Sequence, residues 1–168
     1  MTIEEFNGLD GEAAASLLAT CAEVETWVAN VAAARPFASR EALLAHAAET
    51  AQGWTRDDVN TALASHPRIG EKPKASSIGA ANAAHSATEQ AGMSTAEDAV
   101  RDAIASGNAA YEERFGRVFL IRAAGRSPEQ ILAALTARLG NDDAAEDVVV
   151  AGELREIALL RLEQAVAA

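Results

Sequence analysis

Histidine is the side chain whose charge changes closest to neutral pH, and this sequence carries three: His46, His66 and His85. His66 has the most informative surroundings. It falls at the C-terminal end of a predicted helix, where the helix dipole favours imidazolium, and Pro67 fixes the chain direction just after it. A rigidly placed imidazole titrating near neutrality suits general acid–base chemistry. The same position suits a histidine that caps the last helical carbonyls. His85 and Glu89 lie four apart on one helical face and could share a metal, but no Glu-x-x-His repeat accompanies them and no metal site is expected. His46, flanked by Ala45, Ala47 and Ala48, reads as a structural or surface histidine.

Two further groups stand out. Ser86-Ala87-Thr88-Glu89-Gln90 has the Ser-x-x-Glu form of a capping box, as does Ser94 with Glu97. A cluster of Ser, Glu and Gln can instead line a hydrogen-bonding site for a small polar ligand. Arg161 is the sharper anomaly. On a helical wheel Glu153, Glu156, Glu163 and Gln164 define the polar face, while Arg161 falls nearly opposite, among Leu154, Ala158 and Ala165. A guanidinium there must find an anion or several acceptors. Either an internal carboxylate meets it, or it receives a substrate carboxylate bidentately.

The elements that must position these residues are helical. Of 168 residues 42 are Ala, the best helix former. Helices are predicted over 10–21 and 23–34, the second with Trp27, Val28 and Val31 at helical spacing, before Arg35-Pro36-Phe37 interrupts the pattern. Ser39 is the expected N-cap of a helix to about residue 51, and Thr55 with Asp58 opens another that stops at His66-Pro67. Residues 67–80 hold two Pro and two Gly and read as a long loop, of the kind that is functional or disordered. Helices are expected again over 82–91, from Ser94 to about 114, from Ser127-Pro128-Glu129-Gln130 onward, and over 145–166. The apolar run 118–124 fits helix or strand. The expected fold class is all-α, one domain spanning 1–168, a bundle of roughly seven to nine helices.

Composition excludes several function classes. With 14 Lys+Arg against 25 Asp+Glu the net charge is −11, which argues against a nucleic-acid partner. No apolar run approaches a membrane span of about 20 residues, and the start, Met1-Thr2-Ile3-Glu4-Glu5, lacks a secretory pattern. The lone Cys21 excludes an internal disulfide and a cysteine-rich metal site. The final residues do not form a peroxisomal tripeptide. A soluble, cytoplasmic protein without a membrane or nucleic-acid partner is expected.

Five motifs in order complete the reading: His66-Pro67-Arg68-Ile69-Gly70; Ser86-x-x-Glu89-Gln90-Ala91-Gly92; Asn108-x-x-Tyr111-x-x-Arg114-Phe115-Gly116; the segment from Phe119 to Ser127; and Glu156-Ile157-x-x-Leu160-Arg161-Leu162. With Cys21, Trp27 and Arg35-Pro36-Phe37, they make the chain resemble, nearly end to end, the 2-oxo-4-hydroxy-4-carboxy-5-ureidoimidazoline (OHCU) decarboxylases of urate breakdown. One departure is Arg117-Val118, where relatives carry a hydrophobic residue and Pro; it bears on local packing.

The resemblance implies a helical, cofactor-free and metal-free enzyme that converts OHCU, a small anionic imidazoline, to (S)-allantoin and CO2. Carried over by position, it implies that His66 is catalytic with Glu89 beside it. Pro67, Ser86 and Gln90, the segment Phe119, Leu120, Ile121, Arg122 and Ala123, and Arg161 would bind substrate, and the protein would be a homodimer. Loss of CO2 leaves charge that the adjacent imine and carbonyl can delocalise, so no metal or pyridoxal is required. An acidic chain with an anionic substrate needs local positive charge, expected from Arg161 and from Arg68, Lys72 and Lys74. Two other readings differ in class: a non-catalytic helical interaction module, in which His66 is a cap and Arg161 an ion pair, and a same-fold enzyme acting on a related ureide.

Overall fold

The computed structural model describes residues 1–64, 66–69 and 98–167. Among these the regular structure is entirely helical: α1 (Ile3–Gly8), α2 (Gly11–Cys21), α3 (Glu25–Ala33), α4 (Arg40–Ala51), α5 (Arg56–Ala64), α6 (Asp98–Phe115), α7 (Pro128–Arg138) and α8 (Asp143–Ala165). The helices expected over 82–91 and at Ser94, most of the 67–80 loop, and Ser86, Glu89 and Gln90 lie outside the described residues. No described helix is long and apolar enough to cross a membrane.

The predicted caps are in place. Ser39 Oγ accepts from the Ala42 N–H, and Thr55 exchanges bonds with Asp58 at the start of α5. Ser127 and Gln130 form a reciprocal box around Pro128, the first residue of α7. Helix α1 adds to the predicted set, and Thr2 and Glu5 open it with the same kind of box.

The chain divides into two compact units, Met1–Ala62 with Leu154–Ala168, and Leu63–Glu153. In the first unit α2 packs on α3 and α3 on α4. Trp27, fully buried, donates its indole N–H to the Ala47 carbonyl at 2.9 Å and meets Trp54 edge-on. The Arg35-Pro36-Phe37 turn holds α1 in place. Arg35 donates to the carbonyls of Ala32, Phe6 and Leu9, while the Asn7 side chain bonds both the N–H and the carbonyl of Phe37.

In the second unit α6 packs on α7. Residues 118–123, whose state the sequence left open, are neither helix nor strand. Glycines in the left-handed region flank them: Gly116 (φ 67°), whose N–H closes the end of α6 on the Glu112 carbonyl, and Gly125 (φ 78°). Phe119, Ile121 and Ala123 enter one apolar cluster with Ile69, Ile104, Tyr111, Ile131 and Leu135. The alternation is that of an extended chain.

Candidate functional site

The His66-Pro67-Arg68-Ile69 motif comes directly after α5, and the His66 N–H bonds the Leu63 carbonyl at 3.0 Å. The histidine is therefore where the sequence puts it, at the end of a helix. Arg68 and Ile69 tie the motif to α6. Ile69 is buried in the cluster with residues 119–123, and the Asn108 amide donates to the Ile69 carbonyl at 3.1 Å. Arg68 makes a two-point ion pair with Glu112, its Nη2 at 2.7 Å from Oε2. That pairing holds the Glu112 carboxyl below the usual range, chiefly through the hydrogen bond from Arg68. Arg68 thus meets a neighbouring carboxylate. Lys72 and Lys74 lie outside the described residues.

Segment 119–123 is held by two side chains, Glu153 and Arg138. The Arg122 N–H donates to Glu153 Oε2 at 2.7 Å, and the other oxygen of Glu153 lies 3.5 Å from Arg126. Arg138 donates to the Leu120 carbonyl at 2.7 Å and stacks on Phe119, its guanidinium carbon 4.5 Å from the ring centroid. The same guanidinium pairs with Glu146 through Nε (2.9 Å) and Nη2 (2.6 Å). Glu146 is fully buried and also accepts from the Tyr111 hydroxyl and from Asn141. Burial, reinforced by the bond to Glu146, pushes the Tyr111 phenol up to about 12.

Among the described residues, nothing accepts from the N–H groups of Phe119, Leu120, Ile121 or Ala123, all in buried residues. Buried backbone donors are almost always satisfied, by protein, water or ligand. In an extended chain every second N–H shares a side, so those of Phe119, Ile121 and Ala123 face together as a planar, oxygen-rich anion needs, opposite the Arg122 N–H committed to Glu153.

Arg161 sits in the first unit, in the second half of α8, only 2% exposed. Of the neighbours the wheel gives it, Leu154 and Ala158 are buried and Ala165 is half-buried. Its Nη1 lies 3.4 Å from the carbonyls of Thr20 and Cys21, at the negative end of α2. These carbonyls are neutral acceptors of the kind the sequence allowed beside an anion. Cys21 is fully buried, which pushes its thiol up to about 11. His46 is half-buried against Phe37, their ring centroids 5.5 Å apart, as a structural histidine should be. Among the described residues no group of three His, Cys, Asp or Glu is arranged to hold a metal.

Of the residues singled out in the sequence, the structure joins the His66–Ile69 motif to 119–123 in one unit. Sequence reasoning missed the residues that make this join: Asn108, Glu112, Arg138, Glu146 and Glu153. Asn108 and Tyr111 belong to a noted motif, but helical spacing says nothing about their partners. Arg138 and Glu146 sit on different helices, and Glu153 reads as solvent-facing on the wheel.

Comparison with known proteins agrees with this architecture. A family model described as OHCU decarboxylase matches residues 7–163. Over 164 residues the chain is 28% identical to the uric acid degradation bifunctional protein PucL of Bacillus subtilis, covering 96% of this chain and 32% of that one. It thus spans about a third of the length of that relative. It is 26% identical over 167 residues to the 2-oxo-4-hydroxy-4-carboxy-5-ureidoimidazoline decarboxylase of Halalkalicoccus jeotgali, covering 98% of this chain and 91% of the relative. A crystal structure of OHCU decarboxylase in the presence of (S)-allantoin has the same fold, with a TM-score of 0.71 at 23% identity, covering 86% of this chain and 93% of that one. With the family model matching nearly its whole length, the chain belongs to the OHCU decarboxylase family.

Proposed function

We propose that this chain decarboxylates OHCU to (S)-allantoin and CO2 in urate degradation. The observation that carries the reading is the buried 119–123 segment, with backbone donors that no described residue satisfies, packed beside the residue that ends the His66-Pro67-Arg68-Ile69 motif. The solved relative crystallised in the presence of (S)-allantoin supports the product class.

In this reading the bond from ring carbon to carboxylate breaks, CO2 departs, and the electron pair passes into the neighbouring imine and carbonyl. The N–H groups of Phe119, Ile121 and Ala123 receive the developing charge, so their fixed placement lowers the barrier without solvent reorganisation. His66 orients the leaving group and supplies the proton taken up by the neighbouring, ureido-bearing carbon, while the hydroxyl on the carbon that lost CO2 gives up its proton and becomes the ring carbonyl of (S)-allantoin. Glu89 sets the protonation state of His66, Pro67 fixes its direction, and Ser86 and Gln90 bond the ureido group. Arg161, directed by the carbonyls at the end of α2, binds the substrate anion. We further propose a single domain over 1–168 and a cytoplasmic homodimer without cofactor or metal.

The test generates OHCU in place from urate, with urate oxidase and 5-hydroxyisourate hydrolase, and monitors (S)-allantoin by circular dichroism. The protein should accelerate its appearance, chelated or not, and His66→Ala should abolish the acceleration. Formation at the spontaneous rate with the wild-type protein would sink the assignment.

A further inference from the structure

The apolar cluster explains why Phe119, Ile121 and Ala123 are buried, but not why a charged pair is buried next to them. Glu146 is fully buried, Arg138 is 7% exposed, and together with Tyr111 and Asn141 they form a closed hydrogen-bonded group. Ion pairs of this kind contribute little to stability, because desolvation offsets their attraction, and well-packed apolar replacements are often as stable or more so. What the group does supply is geometry. Two of the guanidinium nitrogens are fixed on one Glu146 oxygen, and the fork then directs Nη1 at the Leu120 carbonyl, 2.7 Å away. The ring of Phe119 lies against the face of the same guanidinium. Apolar packing tolerates small slides of a segment; a hydrogen bond to its backbone from a doubly held donor does not.

We propose that Arg138 and Glu146 are positioning residues for the decarboxylation: they set the register of 119–123, and so the aim of its N–H groups, without touching substrate. Tyr111 and Asn141 hold Glu146 in place, and Glu153 fixes the same segment through the Arg122 N–H. The inference rests on the reading that residues 119–123 meet the substrate.

The full chain and two variants are compared in the OHCU assay, with thermal melting of each. Arg138→Lys keeps the charge, but a single ammonium cannot hold Glu146 and the Leu120 carbonyl in fork geometry. The triple replacement Tyr111→Phe, Arg138→Met and Glu146→Leu makes the group apolar, and it is expected to melt at or above the wild-type temperature. Both variants should lose about ten- to a hundredfold in kcat with KM changed less than about threefold, because misaimed donors are felt mainly in the transition state. A merely structural role predicts the opposite for the triple variant, full stability with full activity. Wild-type kcat in either folded variant overturns the proposal, whatever KM does. A wild-type protein that does not accelerate OHCU decay removes the reading of the site itself, an outcome distinct from an active wild type with active variants.

Discussion

The two units treat their arginines differently. In the first, guanidinium groups close helix ends on neutral acceptors: Arg35 on the carbonyls of Phe6 and Leu9, Arg40 on those of Glu163 and Val166, and Arg161 on those of Thr20 and Cys21. In the second, three arginines meet carboxylates, Arg68 with Glu112, Arg117 with Asp147 and Arg138 with Glu146, while Arg114 and Arg122 reach the carbonyls of Asn141 and Ala124. Arg40 bridges the two styles, since it also reaches the Glu163 carboxylate at 3.2 Å. A carbonyl fixes a guanidinium without cancelling its charge, whereas a carboxylate cancels it. The first style ties helix ends together. The second suits an arginine that must hold backbone in a protein already at −11.

This contrast predicts a ranking of mutational effects. The largest belongs to Glu146→Ala, which leaves Arg138 buried without its counter-charge and should cost about 3–5 kcal/mol, read from urea unfolding. A loss below about 1 kcal/mol would place the pair with surface ion pairs and erase the distinction. Next comes Arg35→Met, which frees the carbonyls of Phe6, Leu9 and Ala32; about 2 kcal/mol is expected, with no dependence on pH between 5 and 8 because no carboxylate takes part.

Tyr111→Phe removes one bond to Glu146 and should cost about 1 kcal/mol at neutral pH. Its pH signature is more telling. The folded phenol titrates at about 12, above its ordinary value of 10.0, so its contribution is complete below pH 10 and lost as pH rises toward 12. The stability difference between wild type and Tyr111→Phe should therefore shrink across that window, and a constant difference would contradict the buried bond. The smallest effect is expected for Arg68→Gln. This pair is partly exposed, so less than about 1 kcal/mol should be lost. Because Glu112 is held below its ordinary value, that contribution is present at neutral pH and fades as the solution is acidified through the carboxylate range.

Local signals carried most of the fold. Ser39, Thr55 with Asp58, and Ser127-Pro128-x-Gln130 announce helix starts because each capping bond closes within three residues. The burial of Arg161 was legible because α8 is long enough for a wheel to separate its faces. The same wheel misplaced Glu153, which is only 14% exposed and accepts from the Arg122 N–H. Periodicity ranks faces by average polarity and does not register one carboxylate turned toward a backbone. The 118–124 run resisted assignment for a related reason. Its backbone groups are met by Arg138 and Glu153 side chains, not by a helical turn or a neighbouring strand. As for the site, the position of His66 was readable, while its link to 119–123 through Ile69 and Asn108 spans 39 residues or more of chain and leaves no periodic trace.

The open backbone of 119–123 has a consequence before the chain folds. Val118-Phe119-Leu120-Ile121 is a short, apolar, β-prone stretch, and a sequence of that kind can pair with another copy of itself when exposed on the ribosome or in a partly unfolded state. Arg117 and Arg122 bracket it. In the native protein one is tied to Asp147 and the other bonds the Ala124 carbonyl, but in the nascent chain both stand as like charges at either end of the stretch, the gatekeeper arrangement that discourages self-association. Neutral replacements at 117 and 122 would therefore show first as inclusion bodies during expression, before any assay of the folded protein could register them.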